Sequence, residues 1–116
     1  MRLFRLFSGS DGQSHMEEIA LSFAPGQFAE QSPVQPAASV SFSRMNPGTF
    51  IDWHNAPRRQ YVITLAGAVE IGLGDGSVHR FGVGEAILAE DLTGQGHTTR
   101  AVGTEPRLTV TIPLAG

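Results

Sequence analysis

The sequence predicts an all-β domain, a sandwich or barrel of many short strands. Fourteen Gly and seven Pro are spread over 116 residues, and neither residue type is favoured inside a helix. Several short segments alternate apolar and polar residues, as strands with one buried face do. Between two of them, the pair Asp75-Gly76 suits the positive φ angles of a tight hairpin turn. Short strands joined by glycine turns are typical of this fold class.

The first 37 residues predict one strand, one ambiguous segment and one loop. Residues 2–8 are predicted to form an edge strand, with a turn after it. Ser14 and Glu17 have capping-box spacing, so a short helix is compatible with this segment, and a strand over 18–23 is the alternative. Residues 24–37 contain three Pro and are predicted to be a loop.

The rest of the chain alternates between predicted strands and turns. The predicted strands are 39–45, 60–73 with a bend at Gly67, 77–81, 86–90, 97–102 and 106–114. We therefore expect a single domain over residues 1–116. Its core barrel would span about 38–114, with an N-terminal strand and loop in 1–37.

Composition excludes several classes of function. The net charge of −3 argues against a dedicated nucleic-acid binder, which needs a basic surface. The chain has no Cys, which excludes disulfides, thiolate metal sites and Cys nucleophiles. No apolar run is long enough to cross a bilayer. We expect a cytoplasmic protein that binds neither nucleic acid nor membranes.

Two segments, 48–67 and 84–101, contain the residues with the most evident site chemistry. Each begins with a Gly and places a His at a defined distance from it. In chain order the spaced residues are Gly48, His54, Ala56, Gln60 and Gly67 in the first segment, and Gly84, Leu92, Gly94, His97 and Ala101 in the second.

This spacing resembles the paired motifs of the RmlC-like cupin superfamily. Ala56 stands where the first motif has its second His, Gln60 where it has a Glu, and Leu92 where the second motif has a Pro. The likeness extends to a branch of small single-domain cupins with W-H-x-A-P-R-R-Q-Y and L-A-E-D-x-T-G-x-G-H runs, present at 53–61 and 88–97. The resemblance implies a double-stranded β-helix, a jelly-roll β-barrel. It implies no single function, because this barrel hosts many activities.

The resemblance also implies one divalent ion, Fe, Mn, Ni or Zn, held at the barrel centre by His54, His97 and Gln60. Two imidazoles and an amide carry no negative charge, so they should hold a dication more weakly than a set with a carboxylate. Asp52 shares the strand parity of His54 and is a candidate for the missing charge, as are Glu90 and Asp91. The alternative is a metal-free pocket, in which both His bond to neighbours or water.

Acid–base catalysis would require a His beside a carboxylate. His97 with Asp91 or Glu90 is the candidate catalytic set. The alternative is that both carboxylates belong to a solvated turn. No nucleophile-elbow motif is present, so covalent catalysis has no support. The sequence does not decide whether the protein is an enzyme.

Strand alternation assigns further residues to a ligand pocket. Gln60 and Thr99 share the faces of Val62 and His97, respectively, and are predicted to bind a small-molecule ligand. Arg58, at the predicted pocket rim, is a candidate fork for a carboxylate or phosphate. A surface ion pair is the alternative for Arg58 and its neighbour.

The opposite face of the predicted strand 60–66 is apolar, with Tyr61, Ile63 and Leu65. It would suit a second sheet layer or a homodimer contact. Trp53 is predicted to face away from the site, in a core or an interface. Two functions follow: a protein that binds a small molecule, with or without a divalent metal at His54 and His97, or a metal-free, non-catalytic ligand-binding or dimeric structural protein.

Overall fold

The structure, a computed structural model, describes residues 1–116 and contains strands, turns and loops but no helix. No segment therefore forms a helix with the length and apolarity needed to span a membrane. The strands are β1 (Leu3–Ser8), β2 (Ser14–Ile19), β3 (Ala24–Pro25), β4 (Glu30–Gln31), β5 (Ser41–Met45), β6 (Phe50–His54), β7 (Gln60–Ala66), β8 (Ala68–Gly72), β9 (Val78–Phe81), β10 (Ala86–Glu90), β11 (His97–Val102) and β12 (Arg107–Pro113).

Two sheets contain all but two of the strands. The larger has the order β2-β1-β10-β7-β12-β5, and the smaller has the order β6-β11-β8-β9. From β5 to β12 the chain passes from one sheet to the other after nearly every strand, which is the connectivity of a jelly roll. The predicted all-β jelly roll is confirmed, but the two sheets stay separate and do not close into one continuous barrel.

The core lies between the two sheets. Its centre is Val69 of β8 and Phe81 of β9, which are 0% and 1% exposed. The ring of Phe4 from β1 meets Phe81 edge-on, with centroids 5.2 Å apart, a favourable aromatic arrangement. Leu6 of β1 completes this contact from the larger sheet. The apolar layer fixes the separation of the sheets and leaves a pocket beside it.

The N-terminal segment is more central than its sequence indicates. β1 is not an edge strand, because β10 pairs with it in parallel on one side and β2 in antiparallel on the other. Gly12, with φ of 76°, permits the tight turn that folds β2 back onto β1. The ambiguous segment is thus a strand over Ser14–Ile19, and the predicted loop 24–37 contains the short hairpin β3–β4.

The outer face of the larger sheet is apolar, as the alternation of β7 predicts. Leu65 is 44% exposed, and Phe42 on the edge strand β5, beyond β12, is 69% exposed. Tyr61 is partly covered, because its hydroxyl donates to Oε1 of Gln35 at 2.5 Å. The homodimer contact expected on this face stays a prediction.

Candidate functional site

A pocket of about 140 Å³ opens between the two sheets, beside the apolar core. Seven strands of both sheets and the segment after β6 contribute its wall. Its volume is below the range of about 300–1,000 Å³ typical of pockets for drug-sized ligands. The lining residues are Leu6, His54, Ala56, Pro57, Gln60, Val62, Ile71, Ile87, Ala89, His97, Thr99 and Arg107.

The two His of the spaced motifs lie side by side in this wall. His54 at the end of β6 pairs with His97 at the start of β11. Their ring centroids are 4.3 Å apart, with 56° between the ring planes. His97 is 6% exposed, whereas His54 is half-buried. Two residues far apart in sequence therefore present adjacent imidazoles to one pocket.

A glycine permits this close approach. Gly96 has φ of 79°, and a Cβ at this position would lie 2.0 Å from the backbone oxygen of His54. No side chain fits there, so only Gly allows β11 to begin directly against the end of β6.

Both imidazoles are oriented by hydrogen bonds at Nδ1. Nδ1 of His54 lies 2.8 Å from the backbone oxygen of Asp52, and Nδ1 of His97 lies 2.5 Å from Oδ2 of Asp91. A carbonyl or a carboxylate only accepts, so Nδ1 carries the proton in both rings. Neither Nε2 has a hydrogen-bond partner in the protein, and neither is a fully buried atom. Each ring therefore offers Nε2 to a bound molecule.

Asp91 is fully buried and is the residue that holds His97 in place. Its Oδ2 also accepts a hydrogen bond from the Ser14 hydroxyl at 2.8 Å. The backbone N–H of Ala56 lies 3.4 Å from the other oxygen, Oδ1. Ser14 comes from β2, so the N-terminal hairpin supports the pocket although it lies outside the spaced motifs.

Glu90 faces the other side of the sheet, away from His97. Successive residues at the end of β10 point to opposite faces, so Glu90 meets Arg5 and Arg59, the latter at 2.6 Å. Burial raises the pKa of Glu90, but the two Arg outweigh this effect and leave the pKa below its ordinary value. The prediction that Glu90 is a catalytic partner of His97 is therefore wrong, and Asp91 alone has that position.

The predicted ligand-binding residues are divided between the pocket and the surface. Gln60 and Thr99 line the pocket, as their strand parity indicates. Arg58 does not: it is exposed, and no ion pair holds it. It lies in the bend before β7, where strand alternation does not apply. Its neighbour Arg59 forms the surface ion pair that was the alternative prediction.

The parity argument for Asp52 fails because β6 contains a bulge. His54 pairs with His97, but Ile51 pairs with Thr99, so the register shifts by one residue between these pairs. Asp52 lies in the extra length and is exposed, and its Oδ1 accepts from the backbone N–H of the next residue. It therefore supplies no charge to the pocket. The next residue, a Trp, is 43% exposed and does not line the pocket.

Sequence reasoning missed Arg107, the pocket's most unusual residue. It begins β12, is only 7% exposed, and donates from Nη2 to Oγ1 of Thr64 at 3.2 Å. Burial lowers its pKa to about 10, so it stays protonated at neutral pH. Arg107 shares strand parity with Thr109 and Thr111, a polar stripe on a strand whose other face is apolar. That pattern was the available signal.

The pocket residues do not fit a divalent metal well. No group of three or more His, Asp or Glu lies together anywhere in the chain. The wall contains two imidazoles and the amide of Gln60 but no carboxylate, and it also contains the Arg107 guanidinium. A dication prefers anionic oxygen ligands and is repelled by a nearby cation. The donor set therefore lacks the negative charge that such an ion requires.

The other two His lie away from the pocket. Nε2 of His15 contacts both carboxylate oxygens of Asp11 at 3.0 Å. Both side chains are exposed to water. His79 on β9 contacts the Ser77 hydroxyl at 3.2 Å. Both contacts are local, so neither His contributes to the site.

Known structures identify the fold. No protein-family model matches the chain, and no curated protein is similar to it in sequence. It is similar to a double-stranded β-helix protein of Klebsiella pneumoniae (22% identity, covering 80% of this chain and 83% of that chain, TM-score 0.53). It is also similar to the Cnp3 cupin domain of Schizosaccharomyces pombe (14% identity, 88% and 73%, TM-score 0.53). Drosophila melanogaster CENP-C bound to CAL1 is a third (13% identity, 80% and 79%, TM-score 0.53).

At these identities the likeness shows the fold alone. The chain has the double-stranded β-helix fold of cupins, in agreement with the resemblance of its spaced motifs.

Proposed function

We propose that the protein binds a small polar molecule in the pocket between its sheets and does so without a metal ion. The observation that carries this proposal is the pair of imidazoles at 4.3 Å, each tied at Nδ1 and each with Nε2 free. A small pocket with a few convergent polar groups on an apolar wall is the usual form of a ligand site. Here the polar groups are His54, His97, Gln60, Thr99 and Arg107.

Pocket size limits the ligand. A dry cavity of about 150 Å³ in another protein accommodates benzene, and the present pocket has about 140 Å³. The ligand portion inside the pocket is therefore about six non-hydrogen atoms in size. The apolar wall from Val62, Ile71 and Ile87 would contact a short carbon skeleton, while the Nε2 atoms would contact its polar group.

Metal content is the first test. Protein purified without chelator is analysed for Fe, Mn, Ni and Zn by mass spectrometry, before and after supplementation. We expect less than about one-tenth of an ion per chain, because the donor set contains no carboxylate. One ion per chain that is lost in His54→Ala would overturn the metal-free proposal.

Ligand binding is the second test. Propionamide and propionate, each with five non-hydrogen atoms, are titrated in the presence of EDTA while the imidazole ¹⁵N–¹H signals of His54 and His97 are recorded. At least one probe should shift both signals, and Ala89→Phe, which fills the pocket, should abolish the shift. His79 serves as an internal control, because it lies on β9 away from the pocket. If neither probe shifts either signal, the proposed function is wrong.

Proton transfer is a second candidate function, favoured by the 2.5 Å contact between His97 and Asp91. A carboxylate at Nδ1 stabilises the imidazolium that forms when Nε2 takes a proton. In such a reaction Nε2 would remove a proton from carbon next to a carbonyl group, and solvent would return it. Deuterium incorporation into pyruvate methyl protons, followed by NMR, tests this function. It should depend on His97, and incorporation no faster than in buffer would exclude it for this probe.

A further inference from the structure

We propose that Arg107 makes this pocket selective for small carboxylates, so that the ligand carries a carboxylate bound by the guanidinium and a short apolar part. The proposal rests on the proposed function, because it assigns a ligand class to the same pocket. It begins from the placement of a single cation inside the fold.

Arg107 is the one buried Arg of the chain. The other seven are exposed or only partly buried. Three of those seven, Arg2, Arg5 and Arg59, contact a Glu at ion-pair distance, and all three lie at the surface. Arg107 has no Asp or Glu within that distance. A buried cation without an anion is costly and uncommon, so its presence in a pocket wall requires an explanation.

The only side-chain partner of Arg107 leaves most of its donors free. Nε and Nη2 both donate to the Thr64 hydroxyl oxygen, at 3.4 and 3.2 Å. Nη1 donates to no protein atom. Only one side-chain N or O atom of the chain is both fully buried and without a hydrogen bond, and that atom is Oε1 of Gln13. Nη1 of Arg107 is therefore not fully buried. Because Arg107 lines the pocket, we infer that its free N–H groups face the pocket.

The backbone holds Arg107 in this position. Gly67, with φ of 73°, lies at the bend between β7 and β8, and a Cβ there would be 2.8 Å from the Arg107 Cα atom. The bend therefore packs directly against the start of β12. A shared hydroxyl and a fixed backbone pre-orient the guanidinium, which reduces the entropy lost when it binds an anion.

Chemistry and size together define the ligand class. A guanidinium binds carboxylate and phosphate oxygens through paired N–H donors. The pocket wall is half apolar, so it would favour an anion with a carbon skeleton over a free inorganic anion. With room for about six non-hydrogen atoms, the ligand is a carboxylate of about two to four carbons. The remaining polar groups of the wall, Gln60 and Thr99, would select its substituents.

Competitive binding of matched probes tests the proposal. Propionate, its neutral isostere propionamide, and inorganic phosphate are titrated by calorimetry at equal ionic strength into the wild-type chain, Arg107→Met and Arg107→Lys. Arg58→Met is the control, because Arg58 is exposed and outside the pocket wall. We expect the wild type and Arg58→Met to bind propionate at least about tenfold more tightly than propionamide.

Arg107→Met should lose this preference while propionamide affinity changes less than about twofold. Its thermal stability without ligand should be equal to or above that of the wild type, because an unpaired buried charge has been replaced by an apolar side chain. Arg107→Lys keeps the charge but not the paired donors, so it should retain only part of the preference. This variant also serves if Arg107→Met does not fold.

The outcomes separate this inference from the proposed function. If propionamide binds as tightly as propionate, or if Arg107→Met keeps the preference, the inference is wrong while the proposed function stands. If phosphate binds more tightly than propionate, the assignment to carboxylates is wrong. If none of the probes binds, the proposed function and the inference both fail.

Discussion

The two faces of the larger sheet use charged residues in opposite ways. On the outer face, Glu90 accepts from Arg5 and Arg59, so three charged side chains hold strands β1 and β10 and the start of β7 together. On the inner face, Asp91 forms hydrogen bonds with a His and a Ser. Arg107 bonds to a Thr hydroxyl and contacts no carboxylate. These three charges on the outer face are satisfied within the protein, whereas the inner face retains donors for a molecule from outside.

This contrast separates structural ion pairs from site residues. Glu90 and Asp91 are adjacent in sequence and alike in chemistry, but one stabilises the surface and the other orients an imidazole in the pocket. Their difference arises from the alternation of strand faces. Substitutions on the two faces test that division.

The first prediction concerns the contact that brings the two His together on the inner side. Gly96→Ala should lower the free energy of unfolding by about 3 kcal/mol or more, because the new Cβ would lie 2.0 Å from the His54 backbone oxygen. Gly103→Ala should lower it by only about 1–2 kcal/mol. Gly103 has a similar φ of 88° but no atom within 4 Å of its Cβ position. Urea unfolding measures both values, and equal losses would show that the close approach is unimportant.

The second prediction compares the adjacent carboxylates directly. Asp91→Asn should lower the free energy of unfolding by about 2 kcal/mol, because it weakens a buried hydrogen bond to a charged group. Glu90→Gln should lower it by about 1 kcal/mol or less, since the ion pairs of Glu90 are partly exposed. The two substitutions are chemically matched, and urea unfolding again gives both values.

A tautomer measurement adds a second readout to that comparison. In Asp91→Asn the proton on Nδ1 of His97 should lose its preference for that nitrogen, which ¹⁵N chemical shifts report. In Glu90→Gln the His97 signals should not change. If Glu90→Gln alters them and Asp91→Asn does not, the assignment of the two faces is reversed.

The smallest predicted effect is on the acid stability conferred by the ion pairs of Glu85 and Glu90. The folded-state pKa values of Glu85 and Glu90 lie below their ordinary values, because Arg2 lowers the first, and Arg5 and Arg59 outweigh the effect of burial on the second. The contributions of these two carboxylates to the free energy of unfolding are fully present above the unfolded-state pKa of about 4.3. They are lost as the pH falls through the lower folded-state pKa values.

Thermal unfolding between pH 5 and pH 2.5 tests this sign. The melting temperature should fall with pH, and the variant Glu85→Gln/Glu90→Gln should show a shallower fall, by roughly 0.5–1 kcal/mol in stability over this range. Glu30→Gln, at an exposed position, is the control. An unchanged slope in the double variant would mean that the ion pairs of Glu85 and Glu90 do not stabilise the fold.

Local pattern predicted much of the fold and the composition of the inner wall. Alternation within β7 and β11 placed Gln60 and Thr99 towards the interior, whereas the relation of His54 to His97 was implied by the resemblance of the motif spacing to that of cupins. These inferences succeeded in locating the residues because both strands keep regular alternation next to the pocket. Whether these residues bind a ligand stays a prediction.

The features that could not be predicted depend on contacts between distant segments. The bulge in β6 arises from its pairing with β11 and takes Asp52 away from the pocket. The end of β10 was predicted correctly at residue 90, but the choice between Glu90 and Asp91 depends on the contacts of Asp91 with Ser14 and His97, which come from other segments. The bend at Gly67 packs against the backbone of Arg107, a contact between distant segments that the polar stripe of β12 does not indicate.

The parallel pairing of β1 with β10 covers an edge of the larger sheet that truncation of the N-terminus would expose. If residues 1–20 were removed, β10 would become an edge strand with unpaired backbone groups. A strand from another chain could then pair with this edge and extend the sheet. The loss would also remove Leu6 from the pocket wall and Ser14 from the carboxylate of Asp91. A truncated protein would then be prone to strand exchange and aggregation. In the intact chain the first twenty residues cover this edge and so oppose self-association through β10.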